Sequence, residues 1–504
     1  MSKSSKNKTK LNDVVDVVAD FGADPTGVAD STSAIQAALT YGGPLGKVVN
    51  FPAGQYKITS GLTYSGSGGI YMEACGYGGG GAGDFGIYPV GTGYTALTIS
   101  GSPHVIDVCV GGAGQTLNGV YLNNVIVGLI QKIRVYNFNG FGVRIDKCWD
   151  TVMEVISIEL CGNTGSTTLN TYSYPNYAFS MNDAGDTCNM SHISRLQVEQ
   201  AQYQAILISG NTLSCVIDNI HSERATTNVS YPTWMLNGNR GLFNATRLNA
   251  LVPSTASASI SGNNSQYNTL EIEGAISSQI QGNNGSSITL VSPEIQGTIS
   301  AITNQTGIIN VLGGYIFSLL SQGEYWNVTG TKITNLNVGY CAGPANQMQF
   351  NGCNISILVS NSTTAAATFN NCVIASCGNL LQASTVINGG AITNSGTITL
   401  GYNATYLSGV TVSGSIAMNG NTTLQLTNGT TVSGGLSVLG GQQAVLADDS
   451  SYFSGTVSYT VAPNYGTWPK GARTRNLAPA VGSAKAYVCT VAGSPGTWVS
   501  EGNL

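Results

Sequence analysis

Two glutamates close near-copies of one phrase: "RLQVE" ends at Glu199 and "NIHSE" at Glu223, 24 residues apart. Only 9% of the 504 residues are charged, so acids at matching points of a repeat stand out. Two carboxylates facing one bond are the machinery of glycoside cleavage, one as acid and the other as base or nucleophile. Neighbouring carboxylates also tend to split their pKa values, leaving one protonated as the acid. Glu159 ends "ISIE" and Glu273 ends "LEIE", so the acidic position recurs. Asp218 and His221 lie in the segment that carries Glu223, and Arg224 follows it. The candidates for catalysis are therefore Glu199, Glu223, Asp218 and His221. Arg195, Arg224, Glu159 and Glu273 are candidates for substrate binding, as are Asp183 and Asp186 of "NDAGDT", which reads first as a polar turn. The bland alternative is a row of solvated acids paired with Arg195, Arg224 or Arg247.

Sugar binding also calls for aromatic faces. "TYSYPNYAF", with Tyr172, Tyr174 and Tyr177, and "SYPTWMLNG", with Tyr231 and Trp234, fall in insertions near the acids, and Tyr203 lies between the two glutamates. Loops of this kind build groove walls. The stretch from Ile333 to Ala447, in contrast, has no Asp, Glu, Lys, Arg or His. It reads as scaffold or as a neutral sugar-binding surface, which places the catalytic groups between about Asp146 and Glu294.

These residues need a framework, and the sequence repeats itself. "KIRVYNFNGFG" aligns with "VISIELCGNTG" at an offset of 23, and "RLQVEQ" with "NIHSER" at 24. Looser copies follow, among them "TKITNLNVGY", "FNNCVIASCG" and "TTVSGGLSVLGG". Each is a short alternating stretch ended by Gly or Asn, with no helical period between them. Short strands every ~20–24 residues predict an all-β, right-handed parallel β-helix whose coils stack at ~4.8 Å. A step of 24 is then one coil, which brings Glu199 and Glu223 to ~5 Å, near the retaining-glycosidase separation. Skipping a coil gives ~10 Å, at the upper edge of the inverting range. A leucine-rich repeat lacks its fixed frame here, and no propeller-blade signature recurs.

The ends of such a solenoid need cover. "ADSTSAIQAALTYGG" predicts an amphipathic helix over 31–41, with Asp30 or Ser31 as N-cap and Gly42 as stop, lying over the first coil. The expected organisation is a flexible tail (1–12), a cap (13–90), the β-helix (91–446) and a small β module (447–504), where charge, Trp and Pro return. That module is a candidate for trimerisation or secondary binding.

Composition narrows the partners. The net charge is −5, with no basic block beyond the first ten residues, which argues against nucleic acid. An uncharged polar sugar polymer would be an easy partner, while a strongly acidic one would need a local basic patch. No apolar run reaches membrane length, and no signal peptide is visible. The 11 scattered cysteines read as buried, reduced thiols of a cytosol-made protein. Three separated histidines, His104, His192 and His221, argue against a transition-metal site, and no tight Asp cluster suggests calcium. "ACGYGGGGAGDFG" lacks the Lys-Ser/Thr end of a phosphate loop, and no Gly-x-Ser-x-Gly elbow supports an esterase. Neither a metal nor a cofactor is expected.

The opening stretch, "VVADFGADPTGVADSTSAIQAALTYGG" followed by "KVVNFPAGQYKITSGL", resembles the N-terminal segment of the pectate-lyase-like superfamily of right-handed β-helices. The match lies at Asp20, Phe21, Gly22, Ala23, Asp30, Thr32, Ala34, Ile35, Gln36, Phe51, Pro52, Gly54 and Tyr56. It implies a fold and brings no catalytic residues with it. The C-terminal "GSAKAYVCTVAGSPGTWVSEGNL" resembles a tail shared by bacteriophage tailspikes. That resemblance implies an intertwined homotrimer in a virion. It would be joined to a phage tail or baseplate protein through its N-terminus and act on a bacterial surface polysaccharide, capsule or O-antigen. The β-helix signature begins almost at once, so a longer virion-attachment domain is expected to be short, removed or supplied by another protein. Two other functions stay open. One is a polysaccharide lyase, with His221 or a Tyr as base and Arg224 neutralising a uronic acid. The other is a receptor-binding spike without catalysis.

Overall fold

A computed structural model gives the arrangement of the chain. It describes residues 13–504 except 75–85, 116, 163–176, 182–186, 202–203, 211, 226–231, 251–256, 263, 274–276, 283–286, 301–306, 322–324, 339–346, 361–365, 381–383, 395, 401–403, 420–422, 440–443, 448–451, 454–456, 460, 464–467, 469, 477–478 and 494. Among the described residues there are many short strands and one helix. The chain falls into two compact units, Met1–Gln279 and Ile280–Leu504.

In the first unit, alternation dictates the strands. Within the last five residues of the strand His192–Glu199 the side chains of Leu196 and Val198 are buried, while Arg195, Gln197 and Glu199 point the other way. Period-two burial is what a strand with one wet face requires. The ladder that carries the candidate acids consists of β1 (Leu129–Phe138), β2 (Val152–Glu159), β3 (His192–Glu199), β4 (Ile220–Ala225), β5 (Thr246–Ala250) and β6 (Glu271–Glu273). Each strand pairs parallel with the next. A second ladder stacks Tyr177–Met181, Gln204–Ile208, Trp234–Leu236 and Ser257–Gly262. A third starts at His192 and Ile193 and continues through Val216–Ile217, Leu242–Phe243 and Ser265–Asn268. Parallel ladders built from successive coils of one chain make a parallel β-helix. Like residues stack inside it, as Phe243 does on Tyr267 with ring centroids 4.7 Å apart.

The corners are as regular as the strands. Leu160 and Gln200 follow β2 and β3 directly, and Asn137 is the penultimate residue of β1; all have positive φ (53°, 49° and 59°). The left-handed region is costly for Leu and Gln, so the packing on either side must impose it.

The second unit repeats with shorter coils. Ile308–Leu312, Tyr325–Thr329, Gln347–Asn351, Ala366–Asn370, Ser384–Asn388, Ala404–Ser408 and Thr423–Thr427 form one parallel ladder. A left-handed residue follows every one of them: Gly313, Gly330, Gly352, Asn371, Gly389, Gly409 and Asn428. Gly carries no penalty at such a corner, and Asn tolerates it. Asn351, Asn370 and Asn388 stack in register. The Asn370 amide donates to Asn351 at 2.8 Å, and the Asn388 amide donates to Asn370 at 3.0 Å. An amide both donates to one coil and accepts from another, which no charged side chain does. That accounts for asparagine within the charge-free stretch. At the C-terminus, Arg473–Asn476, Ala486–Val491 and Thr497–Ser500 pair antiparallel, and Trp468 meets Trp498 edge-on at 5.3 Å.

The helix, α1 (Thr32–Gly42), buries Ile35, Ala38 and Leu39. Gln36 fixes it to the strand Leu62–Gly66, accepting from Thr63 N and donating to Thr63 O, both at 2.9 Å. Two details differ from expectation. Ser31 is the N-cap residue but makes no side-chain cap bond. Its Oγ accepts from Asp24 N instead, while Asp30 accepts from Thr32 N at 3.0 Å. Gly42 lies inside the helix, and Gly43 beyond it keeps right-handed φ, ψ, so neither is a left-handed stop. Close approach explains these glycines. A Cβ on Gly43 would stand 2.5 Å from Ser65 O, and one on Gly66 would stand 2.1 Å from Gly43 O. Gly66→Ala is therefore expected to cost about 1–3 kcal/mol. The readout is a lower thermal midpoint, and an unchanged one would remove the steric argument.

The "GADPTGVAD" turn organises itself around Asp24. Its carboxylate accepts backbone bonds from Ala29, Thr26 and Val28 and a hydroxyl bond from Thr26. These donors, Ala29 N first, hold its pKa down to about 2. The nine described cysteines are all buried. Burial pushes the thiols of Cys161, Cys215 and Cys377 up to about 12.

Candidate functional site

Register decides which candidates meet. Glu159 of β2 is the Cα partner of Glu199 of β3, and Glu199 is the partner of Glu223 of β4. Forty residues separate the first two in sequence, yet they are one coil apart, because residues 160–191 hold a long insertion. One position inward along the same face, Arg134, Ser157, Gln197, His221, Arg247 and Glu271 form a parallel row. The outer face of this ladder is thus a grid of polar side chains, with three glutamates in line.

Glu223 sits at an irregularity. Ser222 pairs with Leu248 and Ala225 with Ala250, so two residues of β4 face the single Asn249 of β5. A bulge of this kind bends the strand and re-aims its side chains. One further coil along, Asn249 pairs with Glu273, and its amide donates to Glu273 Oε2 at 2.8 Å.

At the centre, one ligand atom each from Glu199, His221 and Glu223 lie within 4.8 Å of one another. His221 Nε2 is 3.7 Å from Glu223 Oε2, and these two side chains are 32% and 48% exposed, open to a polymer laid on the face. Arg195 Nη2 donates to Gln197 Oε1 at 2.9 Å, which turns the Gln197 amide so that it donates to Glu199 Oε1. Arg247, expected as a possible partner of the acids, pairs with Glu271 at 3.2 Å instead. Among the described residues, no Lys or Arg pairs with Glu199 or Glu223.

Asp218 is not part of this cluster. It lies before β4 and holds His192 Nε2 at 2.6 Å, while Asn244 Nδ2 donates to its other oxygen at 3.1 Å. Asn268 in turn donates to Asn244 at 2.6 Å. The hydrogen bond with His192, and after it that from Asn244, lower the Asp218 pKa against partial burial.

Trp234 requires a correction. It was expected as a sugar-stacking face, but it is fully buried, and its Nε1 donates to Ser222 Oγ at 2.9 Å. Its segment is a strand of the second ladder, and its side chain falls at an inward position beside Ile206 and Ala258. Tyr177 is likewise buried, with its hydroxyl donating to Pro232 O. Tyr203, Tyr231, Asp183 and Asp186 lie outside the described residues, as do Tyr172 and Tyr174, and Arg224 is placed by its backbone in β4 alone. A surface cavity of about 810 Å³ lies elsewhere, against α1 and lined by Thr32, Gln36, Thr40, Tyr41, Ser60 and Gly61, with no acid in it.

Sequence reasoning passed over Gln197, Glu271 and His192. The signal for Gln197 was present, since residues 195, 197 and 199 of a strand share one face. His192 gave none, because its partner lies 26 residues away across a coil boundary.

Comparison with known proteins adds a family match at the N-terminus. Residues 15–70 match the model described as rhamnogalacturonase A/epimerase, pectate lyase-like. No curated protein matches the chain. Among solved structures, similar chains include a protein of Geobacillus virus E2 (ORF18), at 15% identity, 71% coverage of this chain and TM-score 0.35. Another is the Dettilon tailspike protein, at 11%, 76% and 0.34. A third is the A-module of a mannuronan C-5 epimerase from Azotobacter vinelandii, at 13%, 88% and 0.19, which is covered in full. The chain spans 63% and 66% of the first two, less than two thirds of each. The parallel β-helix is defined by the register of this chain's own strands, and the family match is confined to residues 15–70.

Proposed function

We propose that the chain is a tailspike-type depolymerase that binds a bacterial surface polysaccharide and hydrolyses its glycosidic bonds with Glu199 and Glu223. The observation that carries this reading is the in-register pair on an open strand face, with ligand atoms of the two carboxylates inside 4.8 Å. Such closeness suits the retaining geometry of about 5–5.5 Å between carboxyl groups, and it leaves no room for the water that an inverting enzyme holds between them. The pectate lyase-like segment and the tailspike-like C-terminal sequence support the setting in a phage tail. A homotrimer attached through its N-terminus belongs to the same proposal.

The test is digestion of a panel of capsular and O-antigen polysaccharides by the purified chain, followed by NMR of the newly formed reducing ends. Reducing ends that first appear with the anomeric configuration of the cleaved bond are the expected result. Inverted ends would transfer the chemistry to acids two coils apart, such as Glu159 and Glu223. Ultraviolet-absorbing unsaturated ends would replace hydrolysis with β-elimination. One feature favours that second reading: Asp218 fixes His192, and a carboxylate-oriented imidazole is a ready base. No product from any polymer that binds would leave a receptor-binding spike.

A further inference from the structure

His221 changes what the glutamate pair can hold. Two stacked carboxylates alone are an ordinary acidic surface. Here an imidazole joins them, so the set offers one nitrogen donor and two oxygen donors with an atom of each inside 4.8 Å. The backbone fixes their spacing. Glu199 and Glu223 are Cα partners, and His221 is two residues before Glu223 on the same face of β4.

The surroundings are those of a ligand set as well. No Lys or Arg among the described residues neutralises either glutamate. The Gln197 amide occupies Glu199 Oε1 and is itself pinned by Arg195. That arrangement orients one carboxylate oxygen and leaves Oε2 available, as outer hydrogen bonds do around bound metals. All three side chains are at least partly exposed, so small rotations can draw the donor atoms from 4.8 Å toward the ~3.3 Å that a tetrahedral ion with ~2.0–2.2 Å bonds requires.

We propose that His221, Glu199 and Glu223 form a site for one first-row divalent cation of the zinc type. Each would supply one ligand atom, with a further position open to water or a sugar hydroxyl. The mixed nitrogen and oxygen set decides the class of ion. Calcium takes six to eight oxygens, whereas imidazole with carboxylate suits zinc and its neighbours. The site shares its glutamates with the hydrolytic pair, and a carboxylate held on a cation cannot also act as acid or nucleophile, so the ion-bound form is the hydrolytically silent one; the test uses no polysaccharide, so the two proposals fail separately.

The experiment is calorimetric titration of the chelator-treated full chain with zinc chloride near neutral pH, with melting curves alongside. One saturable site per chain is expected, with a melting midpoint that rises on zinc addition. His221→Ala should weaken binding by about a hundredfold and remove the midpoint rise. Glu223→Gln should weaken it in the same direction. His192→Ala, which disrupts only the neighbouring Asp218 pair, should leave binding unchanged. The proposal is overturned by the absence of saturable binding. It is equally overturned by binding that survives His221→Ala unaltered, because zinc would then sit on thiols or other groups.

Discussion

Glu199→Gln combined with Glu223→Gln is expected to reduce polysaccharide cleavage by about three orders of magnitude or more, which is the scale on which general acid and base groups act. Glutamine keeps the shape of each side chain and removes its capacity to carry the proton or attack the sugar. The fold should be untouched. Both residues lie on the wet face of their strands, where substitutions usually stay within about 0.5 kcal/mol. Removing two like charges from directly opposed positions should, if anything, be mildly favourable. The single variants should each lose nearly as much activity as the double, because residues that act as a unit are not additive. Glu273→Gln provides the contrast: its carboxylate is engaged by Asn249 two coils away, so its activity should remain within a few-fold of wild type. Reducing-end release measures the first effect, and circular dichroism with a melting curve verifies the fold. A folded double variant that cleaves at the wild-type rate would sink the assignment.

The legible part of this protein was its periodicity. "LQVE" and "IHSE" carry the same alternation, so their glutamates had to face the same way, and the register of β3 and β4 places them as partners. The coil length of 24 held there, but Glu159 to Glu199 takes 40 residues for one coil. An insertion lengthens the sequence step without changing the strand spacing. Side-chain partners across coils were much less legible. Nothing in the sequence sends His192 to Asp218, which lies past the end of a short strand 26 residues on, whereas Arg247 and Glu271 are in-register partners at the same step of 24. Glycines gave a half-reading. The run Gly42–Gly43 marks the end of α1, as expected, but it does so by letting a neighbouring backbone pass close by rather than by adopting positive φ.

Trp234 is the residue where composition pointed the wrong way, and it yields the second large effect. An aromatic in a Tyr- and Pro-containing insertion reads as a groove wall. Yet a strand of the second ladder can be as short as three residues, and "WML" is one of them. The indole fills the interior behind β4, and its Nε1 reaches Ser222, the inward residue between His221 and Glu223. Trp234→Ala should therefore destabilise the first unit by about 3–5 kcal/mol, as expected for removing a buried indole. Trp234→Phe should cost less in packing but leave the buried Ser222 hydroxyl without its donor, for about 1–3 kcal/mol. Because β4 rests on this contact, cleavage should fall in the Phe variant while affinity for the polysaccharide is kept. A sugar-stacking tryptophan would behave in the opposite way, losing affinity with little change in the melting midpoint. Melting curves and polysaccharide binding measured on the same two variants distinguish a core residue from a groove residue at position 234.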